Sequence, residues 1–451
     1  MNQPQEPNKS ISLADKLSSL LRFPTVSSYD PRQEDEAAFR GVVDSLPGLF
    51  PRVGAALECF RIGPRALLYA WKGSEEHLPP AVLCAHFDVV PAPDPESWAN
   101  PPFSGAIAEG CVWGRGAQDI KVLMASILEA AERLLAEGFS PRRTVYFAFG
   151  GDEEVGGRRG AREIASFLKA RGVRASVLLD EGGPIALKML SFAQRPLALV
   201  GVAEKGYMDV QLKAKAKGGH ASMPPAKTAP GNLARALADL ESHPSPARMT
   251  KTIREFLSAL AKEAQQPYKL LFKNLWLTGP LVLSAFASSP ATNALIRTTR
   301  AITMLQGSPK ENVLADAAEA TVNVRILPGE SADFALDRIR RRAERFGVSA
   351  EIKHPGQEVE ASGESSAAGE GFAAIRKALA SSHPEAACLP FLFSAGTDTK
   401  HYAEVAQDLY RFTCLPQTSE DLKGVHGRDE RVRIVDLERC AAFYGTLMAA
   451  L

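Results

Sequence analysis

The chain has 451 residues, 45% of them hydrophobic, with 53 lysines and arginines against 52 aspartates and glutamates. That length and composition suit a globular protein of two or three domains with a large core. The near-zero net charge and the lack of a basic stripe exclude the electrostatic footprint of a nucleic-acid binder.

The opening segment MNQPQEPNKSISLADKL carries no apolar run of the kind a secretion signal needs, and nowhere does the chain offer the roughly eighteen uninterrupted apolar residues of a membrane span. The expectation is a cytoplasmic protein with no membrane partner. The six cysteines, at 59, 84, 111, 388, 414 and 440, show no CxxC spacing. They read mostly as small buried apolar residues, not as a disulfide framework or a thiolate zinc site.

In chain order, the first informative element is PPAVLCAHFDVVPAP (79–93), an apolar run that stops at His86, one apolar residue, and Asp88. Residues i and i+2 of a strand share a face, so these two side chains project together where the strand ends. Next come WGRGAQDIK (113–121), a helical pattern in VLMASILEAAERLLAEGF, the strand-like TVYFAFGGDEE, a second helix in GAREIASFLKARG, and ASVLLDEGG. Strand and helix alternate, which predicts a largely parallel α/β sheet with its ligand crevice at the carboxyl edge of the strands.

From about Glu204 the pattern changes to half-exposed alternating strands, GYMDVQLKAKAKGGH and ATVNVRILPGES, with a helical elaboration in HPSPARMTKTIREFLSALAKEAQQPY. This predicts a second, α+β domain over 205–354, inserted between two parts of the first, 1–204 and 355–451. EVEASGESSAAGEG (358–371) reads as a flexible connector, after which the helical GFAAIRKALASS and VDLERCAAFYGTLMAAL rejoin the first sheet.

The polar ends of the first-domain runs collect His86 and Asp88, Asp119, the Asp152-Glu153-Glu154 triplet and the Asp180-Glu181 pair, and a late histidine stands in KGVHGRDE (423–430). Imidazoles and carboxylates without cysteine suit zinc or a similar divalent ion; two such ions need a bridging carboxylate, and one further acid must stay free as a base. Neither GxGxxG nor GxxxxGK[ST] is formed, which argues against nucleotide binding. Taken singly, each piece has an ordinary structural explanation; their combination and order do not.

Five motifs in this order, HFD, GRGAQDIK, DEEVGG, GGHASMPP and VHGRDE, resemble the M20 metallopeptidase family over nearly the whole chain. WANPPFSG, LLDEGG and GGHASMPP look most like its carboxypeptidase S and aminoacylase-like branch. The resemblance implies a mixed-sheet zinc-exopeptidase-like catalytic domain with an inserted lid and dimerisation domain. It implies two divalent ions, zinc first and cobalt or manganese as alternatives. His86, Asp119 and one of Asp180 or Glu181 would ligate one ion, and Asp119, Glu154 and His426 the other. Asp88 would orient His86, Glu153 would be the general base, and the Asp119–Ile120 peptide would be cis.

By the same resemblance, His220 of GGHAS would stabilise the tetrahedral oxyanion from a neighbouring subunit, with Asn293 of ATNALI as its companion. Arg325 would pair with the substrate carboxylate, assisted by backbone groups of Gly396 and Thr397. Val122 departs from the pattern, since many relatives carry glycine there. The implied activity is hydrolysis of the amide bond of small peptides or N-acyl amino acids by a homodimer. The alternative, a catalytically silent binding or assembly module, would have lost a ligand or the base, and every such position is filled.

Overall fold

The computed structural model describes residues 11–190 and 192–451. The chain forms two compact units: one runs through Gly201 and resumes over Ser365–Leu389 and Thr397–Leu451, and the other comprises Val202–Glu364 with Pro390–Gly396.

The first unit is built on a mixed eight-stranded sheet, with the strands in the order Glu58–Gly63, Ala66–Trp71, Val145–Gly150, Ala81–His86, Ala175–Ala186, Ala406–Gln417, Leu197–Glu204 and Ala387–Phe393. Its four middle strands, from Val145–Gly150 to Ala406–Gln417, run parallel, while Glu58–Gly63, Ala66–Trp71 and Leu197–Glu204 pair antiparallel. The mixed character completes the parallel pattern read from the sequence. AVLCAH is buried at every position because a central parallel strand is covered on both faces, so its residues read as a continuous apolar run. Lys121–Ala136 and Ile434–Ala450 are the long helices that cover it, packed on each other.

The second unit holds a four-stranded antiparallel sheet in the order Thr299–Gln306, Ala317–Ile326, Gly206–Lys215, Val348–Ile352. Gly206–Lys215 alternates between buried and half-buried residues, so one face packs and the other meets water. The packed face, with Met208, Val210, Leu212, Val322 and Val324, closes on helices Ala229–Ser242 and Ala332–Ala343 through Leu233, Leu237, Leu336 and Ile339.

Two details differ from the sequence reading. The connector at 358–371 is tied down: Ser365 Oγ donates to the Leu409 carbonyl at 3.0 Å and accepts the Leu409 N–H at 2.8 Å. The helical elaboration begins only at Lys251, running to Glu263, and is followed by three more helices, Tyr268–Lys273, Leu275–Ala287 and Pro290–Ile296. Pro280 lies inside the third of these four, a residue that reads in sequence as a break. All six cysteines are free; Cys59 is exposed and Cys388 half-buried, while the other four are buried.

Candidate metal centre

Three parallel strands deliver the polar cluster of the first unit. His86 is the last residue of its strand and is buried, and its two ring nitrogens face different acids. Nδ1 lies 3.1 Å from the Asp88 carbonyl and 3.3 Å from its carboxylate. Nε2 lies 3.2 Å from Asp119 Oδ1 and 3.4 Å from Glu181 Oε1. Across the site, His426 Nε2 lies 3.0 Å from Asp119 Oδ2 and 3.2 Å from Glu154 Oε2. Asp119 therefore turns one oxygen to each histidine. The donor atoms fall into two groups that share Asp119, His86–Asp119–Glu181 and Asp119–Glu154–His426.

Glu181, not Asp180, joins the cluster because of a bulge. The register between strands Ala175–Ala186 and Ala406–Gln417 passes from Asp180 opposite Arg411 to Gly183 opposite Phe412, leaving Glu181 and Gly182 unpaired. Extra residues of this kind re-aim the side chains they carry. The two glycines of LLDEGG make the bulge fit: a Cβ on Gly182 would lie 2.5 Å from Cβ of Arg411, and one on Gly183 would lie 2.0 Å from the Leu199 carbonyl oxygen. Asp180 stays buried, its Oδ1 accepting the Glu181 N–H at 2.9 Å.

Glu153 and Glu154 leave the sheet in a short 3₁₀ turn, Glu153–Val155, followed by left-handed Gly156 and Gly157. The turn lets adjacent acids point apart, which a regular strand would also do but without bringing both backbone N–H groups to one anchor. That anchor is Asp88: its Oδ1 accepts from Glu153 N and its Oδ2 from Glu154 N, both at 3.1 Å, and Ser27 Oγ donates to Oδ2 at 2.7 Å.

The loops bearing Asp119 and His426 are joined by Glu430, a fully buried carboxylate that the sequence reading left without a role. It accepts from Arg115 Nη1 at 2.7 Å, Gly116 N at 3.1 Å, Gln118 N at 2.7 Å and Asp119 N at 3.0 Å. Arg115 Nη2 in turn donates to the Gly427 carbonyl at 2.8 Å, next to His426. His426 has φ +56, a left-handed conformation unusual for a residue with a Cβ. The Asp119–Ile120 peptide is cis. The lysine of GRGAQDIK donates away from the cluster, with Lys121 Nζ 3.1 Å from the Leu20 carbonyl and 2.7 Å from that of Phe23. Val122 is buried in the helix that follows and touches none of the clustered acids' hydrogen bonds.

The electrostatics are those of crowded anions around two imidazoles. Burial, then the charge of Glu181, drives the Glu153 carboxyl well above its ordinary pKa. Burial also lifts Glu181 to about 8 and raises Glu154. Hydrogen bonds to Asp119 and Glu154 raise His426 to about 10. Burial opposes a charged His86, yet Glu181, Asp119 and Asp88 outweigh it and hold its pKa well above the usual value. Burial likewise opposes an ionised Asp119, but the two histidines keep it below the ordinary carboxylate range. Glu154 Oε1 is buried without a hydrogen-bond partner among the described residues. A site with surplus carboxylate charge and an orphaned acceptor oxygen fits divalent cations bound by oxygen and imidazole nitrogen.

Over residues 82–450 the chain matches the model of peptidase family M20/M25/M40. The chain belongs to that family. As an M20 peptidase it is a metal-dependent hydrolase of C–N amide bonds. It is 35% identical over 438 residues to the probable carboxypeptidase S-like 2 of Dictyostelium discoideum, covering 96% of this chain and 84% of that protein. It is 34% identical over 437 residues to the N-fatty-acyl-amino acid synthase/hydrolase PM20D1 of Mus musculus, covering 96% and 86%. Among solved structures, the M20 family metallo-carboxypeptidase Sso-CP2 of Sulfolobus solfataricus superposes with a TM-score of 0.69 over 97% of this chain and 99% of that one, at 14% identity.

The remaining residues singled out in the sequence lie apart from the cluster in the chain. Thr397, in the first unit, is buried and its Oγ1 accepts the Thr399 N–H at 3.3 Å. In the second unit, His220 is exposed on the two-residue strand Gly219–His220, and its Nδ1 accepts the Ser222 N–H at 3.1 Å. That bond places a neutral imidazole's proton on Nε2, pointing a donor outward. Arg325 stacks on Tyr207 at 4.7 Å and pairs with no carboxylate among the described residues. Asn293 is half-buried on helix Pro290–Ile296 and Gly396 is exposed. Buried Lys205 holds the end of that helix, donating to the Ala294 and Arg297 carbonyls at 3.0 and 2.9 Å. No hydrogen bond or ion pair joins His220, Asn293 and Arg325 to one another among the described residues.

Proposed function

We propose that this M20 peptidase cleaves the amide bond of N-acyl amino acids or small peptides, with two divalent ions, zinc foremost, at the shared-carboxylate cluster. The observation that carries the reading is Asp119, whose two oxygens stand 3.2 Å and 3.0 Å from two separate imidazoles, each with its own second acid. His86 and Glu181 would hold one ion, Glu154 and His426 the other, and Asp119 both.

When bound, the ions polarise the scissile carbonyl and lower the pKa of the attacking water. Glu153 belongs to neither ligand group. It takes the proton of the attacking water and returns it to the leaving nitrogen, a task for which a raised pKa is suited. Asp88 fixes the tautomer of His86 and, through the backbone of Glu153, the base itself.

Arg325, with no acid partner among the described residues and a cationic neighbour in Lys205, is assigned to the free carboxylate of the substrate, where a guanidinium fork fits. Gly396 and Thr397 are assigned backbone contacts to the same carboxylate. His220 is assigned the oxyanion, acting from the second subunit of a homodimer, with Asn293 beside it. N-acyl amino acids are the first substrates to try, because a relative at 34% identity is named an N-fatty-acyl-amino acid synthase/hydrolase.

The test is a panel of N-acyl amino acids and dipeptides, assayed before and after chelation and after zinc, cobalt or manganese is restored. Turnover that survives complete metal removal contradicts the reading.

A further inference from the structure

We propose that helices Tyr268–Lys273 and Leu275–Ala287 form a docking surface for an anionic lipid bilayer, which the protein meets from one side without crossing it. The segment YKLLFKNLWLTGPLVLSAFA contains two lysines and no acid, and no aspartate or glutamate occurs between Glu263 and Glu311. Five of its large apolar side chains are exposed: Trp276 is 83% exposed, Leu277 66%, Leu281 61%, Leu270 57% and Tyr268 41%. On the longer helix, Trp276, Leu277, Pro280, Leu281 and Ser284 are all exposed and recur with the spacing of a single helical face, while Gly279 and Val282 on the other side are buried.

One exposed leucine means little, but a contiguous apolar face on a water-soluble fold marks an interaction site. Tryptophan and leucine on the face, with Lys269 and Lys273 beside them, are the chemistry of a helix lying in a lipid headgroup region. A second copy of the chain suits the face less well. A twofold interface pairs a patch with itself, which would bring lysines against lysines with no acid in the segment to compensate. Among the described residues no helix is long and apolar enough to cross a membrane, and a helix on the surface need not be. The proposal departs from the sequence-based expectation of no membrane partner, which rested on the lack of a spanning segment. The proposal does not rest on the proposed substrate or metals.

The experiment is flotation of the full-length protein with vesicles of phosphatidylcholine alone and of phosphatidylcholine with phosphatidylglycerol, read together with tryptophan emission. Three of the four tryptophans, Trp71, Trp98 and Trp113, are buried at 6%, 7% and 7% exposure, so a lipid-dependent blue shift reports Trp276. The expected result is flotation with the anionic vesicles, a blue shift, and quenching by brominated acyl chains. The double variant Trp276→Ser, Leu277→Ser should bind ~tenfold or more weakly, and Lys269→Glu with Lys273→Glu should bind more than ~tenfold more weakly on the anionic vesicles, since each lysine near an anionic surface is worth about fivefold. Trp276, Leu277 and Lys273 are exposed and Lys269 is half-buried, so an unchanged thermal midpoint and unchanged hydrolysis of a short soluble substrate verify the fold in each variant. Failure to float, equal binding to both vesicle types, or wild-type binding by the serine variant overturns the proposal. So does a lipid-free dimer that the serine variant converts to monomer, which would assign the face to a second copy.

Discussion

The carboxylate of Asp88 accepts the backbone N–H of Glu153 at 3.1 Å while standing 3.3 Å from Nδ1 of His86. One buried acid thus sets both the ring of a candidate ligand and the backbone of the candidate base. Asp88→Asn keeps the size but replaces an acceptor with a donor aimed at N–H groups. The expected outcome is a loss of about 10- to 100-fold in metal affinity or turnover, the usual range for groups that orient ligands. Equilibrium dialysis and steady-state kinetics on the same preparation check it; unchanged values in both would remove Asp88 from the site.

Glu153→Gln should separate binding from chemistry. Glu153 stands in neither ligand group, so metal content should be retained while kcat falls by roughly 10²- to 10⁴-fold, as loss of a general base implies. Mixing this variant with inactive His220→Ala under subunit exchange then tests the trans assignment. Recovered turnover in the hybrid is the expected outcome, and none despite demonstrated exchange rejects it.

Glu430→Ala leaves Arg115, 1% exposed, without its carboxylate and frees the N–H groups of Gly116, Gln118 and Asp119. Breaking a buried ion pair from one side destabilises by about 3–5 kcal/mol. The expected outcome is a lower denaturant midpoint in metal-free protein together with poorer metal retention, since the loops of Asp119 and His426 lose their common anchor. A stability loss with full metal retention would confine Glu430 to the fold.

Much of the cluster was legible because buried parallel strands expose their chemistry at their ends. The apolar run AVLC stops at His86 and Asp88, and the same kind of polar ending recurs at Glu153-Glu154 and Asp180-Glu181. The choice between Asp180 and Glu181 was not legible, because it depends on a bulge set by Arg411 and Phe412, more than two hundred residues downstream. Glu430 was quoted within a motif but gave no local signal of its role; its four donors come from a loop 311 to 315 residues away. The exposed helix Leu275–Ala287 escaped because Pro280 breaks the pattern that marks a helix, and tertiary context overrode that signal.

Acid stability offers a test remote from the cluster. Burial holds the His383 imidazole at about 4, below its ordinary 6.5. The unfolded chain therefore binds the proton first, so stability is full above about pH 6.5 and is lost as pH falls toward 4. In metal-free protein, the wild type should lose more unfolding free energy between pH 7 and pH 5 than His383→Gln, which takes up no proton. Parallel losses in the two proteins would mean that His383 titrates normally when folded.

The central claim is that Asp119 is shared by two ions on which hydrolysis depends. The most direct measurement is zinc titration of metal-free protein by equilibrium dialysis, with turnover assayed in the same samples. The expected result is two ions per chain, activity that rises with their binding, and loss of both sites in Asp119→Asn. Full activity in protein shown to be metal-free, or two ions retained by Asp119→Asn, would contradict it.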